Sequence, residues 1–215
     1  SLADITIPDS VTSIGNYAFQ DCSSLTSIII PDSVVSIGKW AFGSCDNLTN
    51  VTIGVRITSI GDYAFANDIS IADVYYKGSV ETWFNIEFGD NSSHPHYYGT
   101  LHFIDEDGND TTEIVIPEGI VSIPYRAFCN ASNITSVMIP DSVTSIGGSA
   151  FWNCSALADV YYKGSVESWL NIGFQSASSY PNHYDLGNLH FLDKDGNEVT
   201  ELVIPEGIAS ISDFA

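Results

Sequence analysis

A repeat of 23 residues runs through most of the chain and constrains its fold more than any other feature. A fixed period in the twenties is typical of a solenoid, in which each coil packs only on its neighbours. We therefore predict a stack of coils with a continuous buried column of aromatic side chains. The residues that mark the period in two series are Phe19, Phe42, Phe65 and Phe88, then Phe128, Phe151 and Phe174.

The best-preserved coils share one apolar pattern, which predicts the path of the backbone. Because side chains alternate between the two faces of a strand, Ile28 and Ile30 should point inward and Ser27 and Ile29 outward. Pro31 has no N–H to donate and should end the strand before a turn. The pattern continues with the inward residues Val34, Ile37, Ala41, Phe42 and Cys45.

Two stretches, residues 77–88 and 163–174, are degenerate repeats that keep the 23-residue spacing with bulkier side chains. We expect short helices within about 80–88 and 166–174, capped by Ser79 and Ser165.

Each degenerate repeat is followed by a break in the 23-residue register. About residues 89–113 and 175–201 are therefore predicted to be inserted β-hairpins, because two apolar runs flank a turn rich in Gly and Asn.

The coil pattern resembles the BspA-type leucine-rich repeat, and the resemblance covers essentially the whole chain. The variant from Tyr75 to Trp83, with its following hairpin, is similar to irregular repeats in large surface proteins of anaerobic gut bacteria. The resemblance implies an extracellular, cell-surface protein with a non-enzymatic adhesion role. The sequence departs from the family pattern at the two hairpins, and at Asp68 and Ala131, where the family would have Cys.

The predicted architecture is a mainly β repeat solenoid. It has a parallel sheet on one face, an irregular or short helical opposite side and two inserted hairpins. Residues 1–215 should form a single solenoid that is a fragment of a longer array. The start of the chain matches Ser24–Ile28 and its last residue matches Ala127, so both ends fall inside a repeat.

The chain is strongly acidic, with 27 acidic and 6 basic residues and a formal net charge of −21. Such a surface repels phosphate backbones and anionic headgroups, so we predict no nucleic-acid partner. The longest apolar runs are too short to span a bilayer, which predicts no membrane insertion. No cofactor is predicted.

The outward positions of successive strands form two rows, one acidic and one apolar or aromatic. Exposed Tyr and Met beside acids are typical of interfaces, so we predict that this face binds an extracellular protein or glycan. The alternative is that the hairpins or a neighbouring coil cover these side chains. The predicted ligand-binding residues are Asp73, Tyr75, Glu113, Met138, Asp159 and Tyr161.

Two other functions compete with the binding module. One is a structural spacer of a large surface protein. The other is a glycan-active enzyme that uses Asp73 with Glu113, or Asp159 with Glu201, as paired carboxylates. Because the pair recurs in both copies along an open sheet, a structural ladder is favoured and no catalytic residue is predicted. The sequence determines neither the ligand nor the oligomeric state.

The cysteines and histidines are assigned structural roles. Neighbouring coils place Cys22 and Cys45 within reach of a disulfide, but buried free thiols are favoured. The pair His94 and His96 suggests a metal site, yet positions in an insertion favour ordinary hairpin residues, and no metal is predicted.

The acidic segment that begins at Asp105 faintly resembles a calcium loop. It lacks the full ligand spacing and the closing Glu, so a hairpin turn is favoured.

Overall fold

The computed structural model describes residues 5–176, 179, 181, 188–201, 203–204 and 206. The chain divides into two compact units, residues 1–111 and 112–215, and each unit is built of stacked coils. The predictions about the chain ends fall on residues 1–4 and 207–215, outside the described residues. The single-solenoid organisation and the fragment of a longer array stay predictions.

The first unit contains two sheets of parallel strands and one helix. The larger sheet has the order β2-β4-β6-β8-β9, and only its last pair is antiparallel. Its strands are β2 (Ser27–Ile29), β4 (Asn50–Ile53), β6 (Asp73–Tyr76), β8 (Thr100–Ile104) and β9 (Asp110–Thr111). The smaller sheet consists of β1 (Ser13–Ile14), β3 (Ser36–Ile37), β5 (Ser59–Ile60) and β7 (Glu87–Phe88). Helix α1 (Val80–Phe84) and the 3₁₀ turns Asn91–Ser93 and Pro95–Tyr97 complete the unit.

The second unit repeats this arrangement. Its larger sheet has β10 (Glu113–Val115), β12 (Ser136–Pro140), β14 (Asp159–Lys163) and β16 (Asn188–Phe191), all parallel. Its smaller sheet has β11 (Ser122–Ile123), β13 (Ser145–Ile146) and β15 (Gly173–Phe174), and helix α2 spans Val166–Leu170. These elements confirm the predicted mainly β solenoid with parallel sheets and short helices.

The regular coils keep the 23-residue register. Ser27 pairs with Asn50, which pairs with Asp73 in the next coil. The inward residues Ile28 and Ile30 are buried, whereas Ile29 is 61% exposed, as predicted. Burying an Ile or Phe side chain contributes about 1.5–3 kcal/mol, so each coil is stabilised mainly by the apolar residues that it stacks on its neighbours.

The side of the coil opposite the larger sheet turns on residues with positive φ. Tyr17 (φ 61°) and Asp21 (φ 59°) belong to the first such coil. Their backbone N–H groups donate to Lys39 O at 2.9 Å and Gly43 O at 3.0 Å in the next coil. These bonds between coils offset the strain of a left-handed conformation, which costs about 1–3 kcal/mol per non-glycine residue. The same conformation recurs at Trp40, Ser44, Tyr63, Asn67, Arg126, Asn130, Ser149 and Asn153.

The predicted aromatic column exists in the regular coils but does not include Phe88. The rings of Phe19, Phe42 and Phe65 stack with 5.3 Å between successive centroids. Phe88 instead pairs with Ile60 in the smaller sheet. The prediction that Phe88 continues the column was wrong, and Phe174 likewise pairs with Ile146. The cause is a longer degenerate coil, in which a helix is inserted before the strand.

The degenerate coils are held by a buried tyrosine. Tyr76 is fully buried and packs against Trp83 with ring centroids 4.9 Å apart. A Cβ on Gly78 would overlap the Tyr76 hydroxyl, so glycine is required there by close approach. The Ser79 hydroxyl accepts the Thr82 N–H at 3.2 Å and caps α1, as predicted. The helix ends at Phe84, earlier than predicted.

The second degenerate coil is built in the same way. Tyr162 is buried and packs against Trp169 with ring centroids 5.0 Å apart, and a Cβ on Gly164 would overlap the Tyr162 ring. Ser165 accepts the Ser168 N–H at 3.0 Å and caps α2.

The two hairpins are present, but each begins with a strand of the solenoid itself. Thr100 pairs with Asp73, so the coil between them is 27 residues long, and only the return strand β9 lies outside the coil. In the second unit Asn188 pairs with Asp159, and an antiparallel bridge joins Leu192 to Glu198. Each insertion is therefore a longer coil followed by a short return strand.

The four cysteines are free thiols, as favoured by the sequence. Cys45, Cys129 and Cys154 are buried, and burial raises the pKa of the Cys129 thiol to about 11. In the part of the chain that the structure describes, no helix is long and apolar enough to cross a bilayer.

Candidate binding face

The outward side chains of the larger sheet in the first unit form two parallel rows. Because the strands are in register, one residue from each strand falls in each row. The first row is Ser27, Asn50, Asp73 and Thr100, and the second is Ile29, Thr52, Tyr75 and His102.

The second unit presents the corresponding rows. The first is Glu113, Ser136, Asp159 and Asn188, and the second is Val115, Met138, Tyr161 and His190. Val115 is 57% exposed, so this face displays apolar surface at the same row position as Ile29. We call the two rows of each unit its outward face.

A histidine on the hairpin strand links three strands of the first unit. His102 on β8 stacks its ring on Tyr75, with centroids 4.8 Å apart and planes inclined by 22°. Its Nε2 lies 3.1 Å from Asp73 Oδ1 on β6, and its Nδ1 lies 2.6 Å from Asp110 Oδ2 on β9. Burial, together with the charges of Asp73 and Asp110, raises the pKa of the Tyr75 hydroxyl.

The second unit carries the same constellation. His190 stacks on Tyr161 at 4.8 Å and 22°. Its Nε2 lies 2.8 Å from Asp159 Oδ1 and its Nδ1 lies 2.7 Å from Glu198 Oε1. We call each such arrangement of one imidazole between two carboxylates a histidine bridge.

The charges in the second bridge stabilise one another. Hydrogen bonds to Glu198 and then to Asp159 raise the pKa of His190 above its ordinary value. Hydrogen bonds from His190 and then from Asn188 lower the pKa of Asp159. Both shifts favour an imidazolium between two carboxylates.

The predicted order of the rows was wrong at the hairpins. Asp73 was expected beside Glu113, and Asp159 beside Glu201. The strand next to β6 is β8, so Thr100 lies beside Asp73, and Glu113 begins the second unit. The carboxylates that approach Asp73 and Asp159 through a histidine are Asp110 and Glu198.

The six predicted residues occupy outward positions of the two units. Glu113 is exposed, whereas Asp73, Tyr75, Met138, Asp159 and Tyr161 are partly exposed. The structure brings Asp73 and Tyr75 together in the first unit, and Asp159, Tyr161 and Met138 in the second. Their role in binding stays a prediction. The alternative of covering by the hairpins holds in part, because a hairpin histidine covers one ring face of each tyrosine.

Sequence reasoning missed His102, His190, Asp110 and Glu198. A usable signal was present: Leu-His-Phe occurs at the same place in both hairpins. Its alternation matches that of Val-Tyr-Tyr in the preceding strand, which places His102 outward beside Tyr75.

The other candidate sites have structural explanations. His94 and His96 are buried, and the His94 ring stacks on Phe88 with centroids 3.9 Å apart. Asp105 Oδ1 accepts the N–H groups of Asp107 and Asn109 at 3.0 and 2.8 Å, which closes the hairpin turn and lowers the pKa of Asp105. Across the described ranges no group of three or more His, Cys, Asp or Glu side chains is arranged to hold a metal ion.

Stacked coils, in-register parallel strands and an open outward face define a repeat protein of the solenoid class. The chain belongs to the family of the BspA type leucine rich repeat region, because six copies of that repeat match residues 1–94 and 106–213. No protein with a curated description matches the sequence.

Several solved structures are similar to this chain. A leucine rich cell surface protein from Faecalibacterium prausnitzii A2-165 is 33% identical over 79% of this chain and 34% of its own length, with a TM-score of 0.32. A leucine-rich repeat protein from Bacteroides ovatus is 24% identical over 87% of this chain and 47% of its own length, with a TM-score of 0.46. The leucine rich repeat protein of T. pallidum is 22% identical over 70% of this chain and 62% of its own length, with a TM-score of 0.42. The chain thus spans less than two thirds of each of these proteins.

Proposed function

We propose that this chain is an extracellular binding module that docks a protein or glycan ligand on the outward faces of its two units. The observation that carries the proposal is the recurrence of one constellation, a tyrosine stacked on a histidine between two acids. It lies at matching positions of both units. Family membership supports the repeat module, and the ligand and the location at the cell surface are proposals.

The chemistry of the face supports recognition by contact. Tyr75 and Tyr161 are partly exposed, and the polar atoms of Asp73 and Asp159 lie beside them. Ile29 and Val115 add exposed apolar surface to the same rows. Aromatic side chains with neighbouring charges are enriched among the residues that dominate binding energy.

The test is to replace the two tyrosines together, Tyr75→Ala and Tyr161→Ala. Binding is measured to an array of neutral and sialylated glycans and to a panel of immobilised extracellular matrix proteins. If the tyrosines are central to the interface, affinity should fall by roughly 30-fold or more, since such residues contribute about 2 kcal/mol or more.

The matched control is Tyr17→Ala. Tyr17 is 54% exposed and lies in the first unit, outside the rows of the outward face. Its replacement should leave binding unchanged. Equal affinity of the double tyrosine variant and the native chain would remove this face from consideration.

We also propose that the chain has no catalytic activity. Asp73 and Asp110 are bridged by the imidazole of His102, so both ring nitrogens already have carboxylate partners. A general acid and base pair needs groups that are free to exchange protons with substrate. Hydrolysis of any polysaccharide by the purified chain, lost on Asp73→Asn, would contradict this proposal.

A further inference from the structure

The histidine bridges have a protonation requirement that follows from their geometry. Both nitrogens of His102 lie within 3.1 Å of a carboxylate oxygen, and both nitrogens of His190 lie within 2.8 Å of one. A neutral imidazole donates one hydrogen bond and an imidazolium donates two. Only the imidazolium between two ionised carboxylates therefore satisfies all the partners of a bridge.

The return strand that each bridge fastens is short. In the first unit β9 has two residues, and its pairing with β8 is limited to Thr111 with Phe103 and Asp110 with Ile104. In the second unit the N–H of Val199 donates to Phe191 O at 2.8 Å beside the bridge of Leu192 to Glu198. So short an antiparallel pair is marginal on its own, and the side-chain bridge supplies much of its stability.

We infer that the two histidine bridges are pH-sensitive fasteners that hold each return strand closed and keep the histidine ring against its tyrosine. The inference rests on the proposed function in one respect: it assigns a regulation to the Tyr75 and Tyr161 sites. When a bridge loses its second proton, one ring nitrogen faces a carboxylate through lone pairs on both sides. The ring then leaves the tyrosine, and the return strand opens.

The groups that face each imidazole are all on the page. His102 is faced by Asp73 and Tyr75 from β6 and by Asp110 from β9. No positive side chain of the described residues is ion-paired with these carboxylates except the histidine.

The second imidazole has the same surroundings. His190 is faced by Asp159 and Tyr161 from β14 and by Glu198 from the return segment. Asn188, on its own strand, donates to Asp159 Oδ1 at 3.3 Å and carries no charge.

The sign of the pH dependence follows from the second bridge. The pKa of His190 is raised, so the stability that it contributes is fully present below the ordinary histidine value and is lost as pH rises through the folded pKa. The pKa of Asp159 is lowered, so its contribution is present above the ordinary carboxyl value and is lost as pH falls. The fastener is therefore strongest between about pH 4.5 and 6.5, and it opens toward alkaline pH.

The experiment follows amide hydrogen exchange of the 215-residue chain from pH 5.5 to 8.5, corrected for intrinsic exchange. The protection factors of the Thr111 and Val199 amides should fall by about tenfold across this range, the change that corresponds to one pKa unit of linkage. Over the same range, relaxation of the Tyr75 and Tyr161 ring protons by a neutral gadolinium chelate should increase. In the double variant His102→Gln and His190→Gln, protection should be low and independent of pH.

The matched control is Glu106→Gln, which removes a carboxylate from the hairpin turn and leaves the bridge intact. It should keep the native pH profile. Native protection factors that stay constant from pH 5.5 to 8.5 would overturn the inference, as would a glutamine variant with the native profile. Flat protection with loss of binding in the Tyr75→Ala and Tyr161→Ala variant would end this inference alone. A normal pH profile with unchanged binding in that variant would instead end the proposed function.

Discussion

Asp68 carries a carboxyl group into the packed interior of a regular coil, at the position where the preceding coils have Cys22 and Cys45. Its side chain has no exposed surface. Asp68 Oδ1 accepts the Cys45 N–H at 2.7 Å, whereas Oδ2 has no hydrogen-bond partner among the described residues. Burial, reinforced by the charge of Asp46 and opposed by the Cys45 N–H, raises the pKa of Asp68 to about 7.

We expect Asp68→Asn to stabilise the protein, and to do so more at pH 8 than at pH 5. A raised pKa means that the contribution of Asp68 to the free energy of unfolding is fully present below 3.8 and is lost as pH rises through about 7. Asn keeps an acceptor for the Cys45 N–H and never ionises. Denaturant unfolding should show a gain that is larger at pH 8 by roughly 2 kcal/mol.

The control for this substitution is Asp107→Asn, the same chemical change in an exposed turn. It should alter the free energy of unfolding by less than about 0.5 kcal/mol at either pH. If both variants gave the same pH dependence, Asp68 would not be the source of the native chain's loss of stability at alkaline pH.

The degenerate coil is the element that distinguishes this chain from a uniform array. Its buried tyrosine, glycine and capping serine form one packing unit, because the Tyr76 hydroxyl lies over Gly78 and donates to Thr82 Oγ1 at 2.9 Å in the first turn of α1. Trp83 then closes the interior against Phe88 and Phe103, with ring centroids 5.6 and 6.0 Å away. The element thus replaces the small apolar residues of a regular coil with large aromatic ones.

We expect Gly78→Ala to lower the free energy of unfolding by about 1–3 kcal/mol, the usual effect of overpacking. The added methyl group would overlap the Tyr76 hydroxyl, and a fully buried ring cannot move aside without disturbing Trp83. Thermal and denaturant unfolding measure the effect. Gly15→Ala is the matched control, since a Cβ at Gly15 meets no atom within 4 Å. Equal stability of the two variants would show that this close approach is not required.

At the scale of the whole molecule, a net charge of −21 opposes folding through repulsion among the carboxylates. Six basic residues are too few to neutralise 27 acidic ones. Among the described residues the one ion pair that involves Lys or Arg joins Lys163 Nζ to Glu118 Oε1 at 3.3 Å.

We therefore expect salt to stabilise the protein at neutral pH. Raising NaCl from 10 to 100 mM shortens the screening length from about 30 to about 10 Å. The thermal midpoint should rise by about 2–4 °C, which corresponds to roughly 1 kcal/mol for a chain of this size. Repeating the titration at pH 4.5, close to the pI of about 4.1, should shrink the effect. A midpoint that stays constant or falls at pH 7 would show that charge repulsion does not limit stability.

The coil and the direction of its strands were predictable because they depend on short-range rules. The 23-residue spacing and the alternation of Ile28, Ile29 and Ile30 are read directly from the sequence, and both are confirmed. The capping roles of Ser79 and Ser165 were predictable for the same reason. The register of Phe88 was not, because its spacing of 23 from Phe65 is a coincidence of a longer coil.

The sequence by itself determined the class of fold and the outward placement of Asp73, Tyr75, Asp159 and Tyr161, since period and alternation are local properties of the chain. Only the tertiary structure decided which strand follows Tyr75. Hydrogen-bond register is a pairing between distant segments, and a coil of 27 residues brings His102, rather than Val115, beside that tyrosine. The histidine bridges therefore exist through folding alone, because residues far apart in sequence meet across three strands.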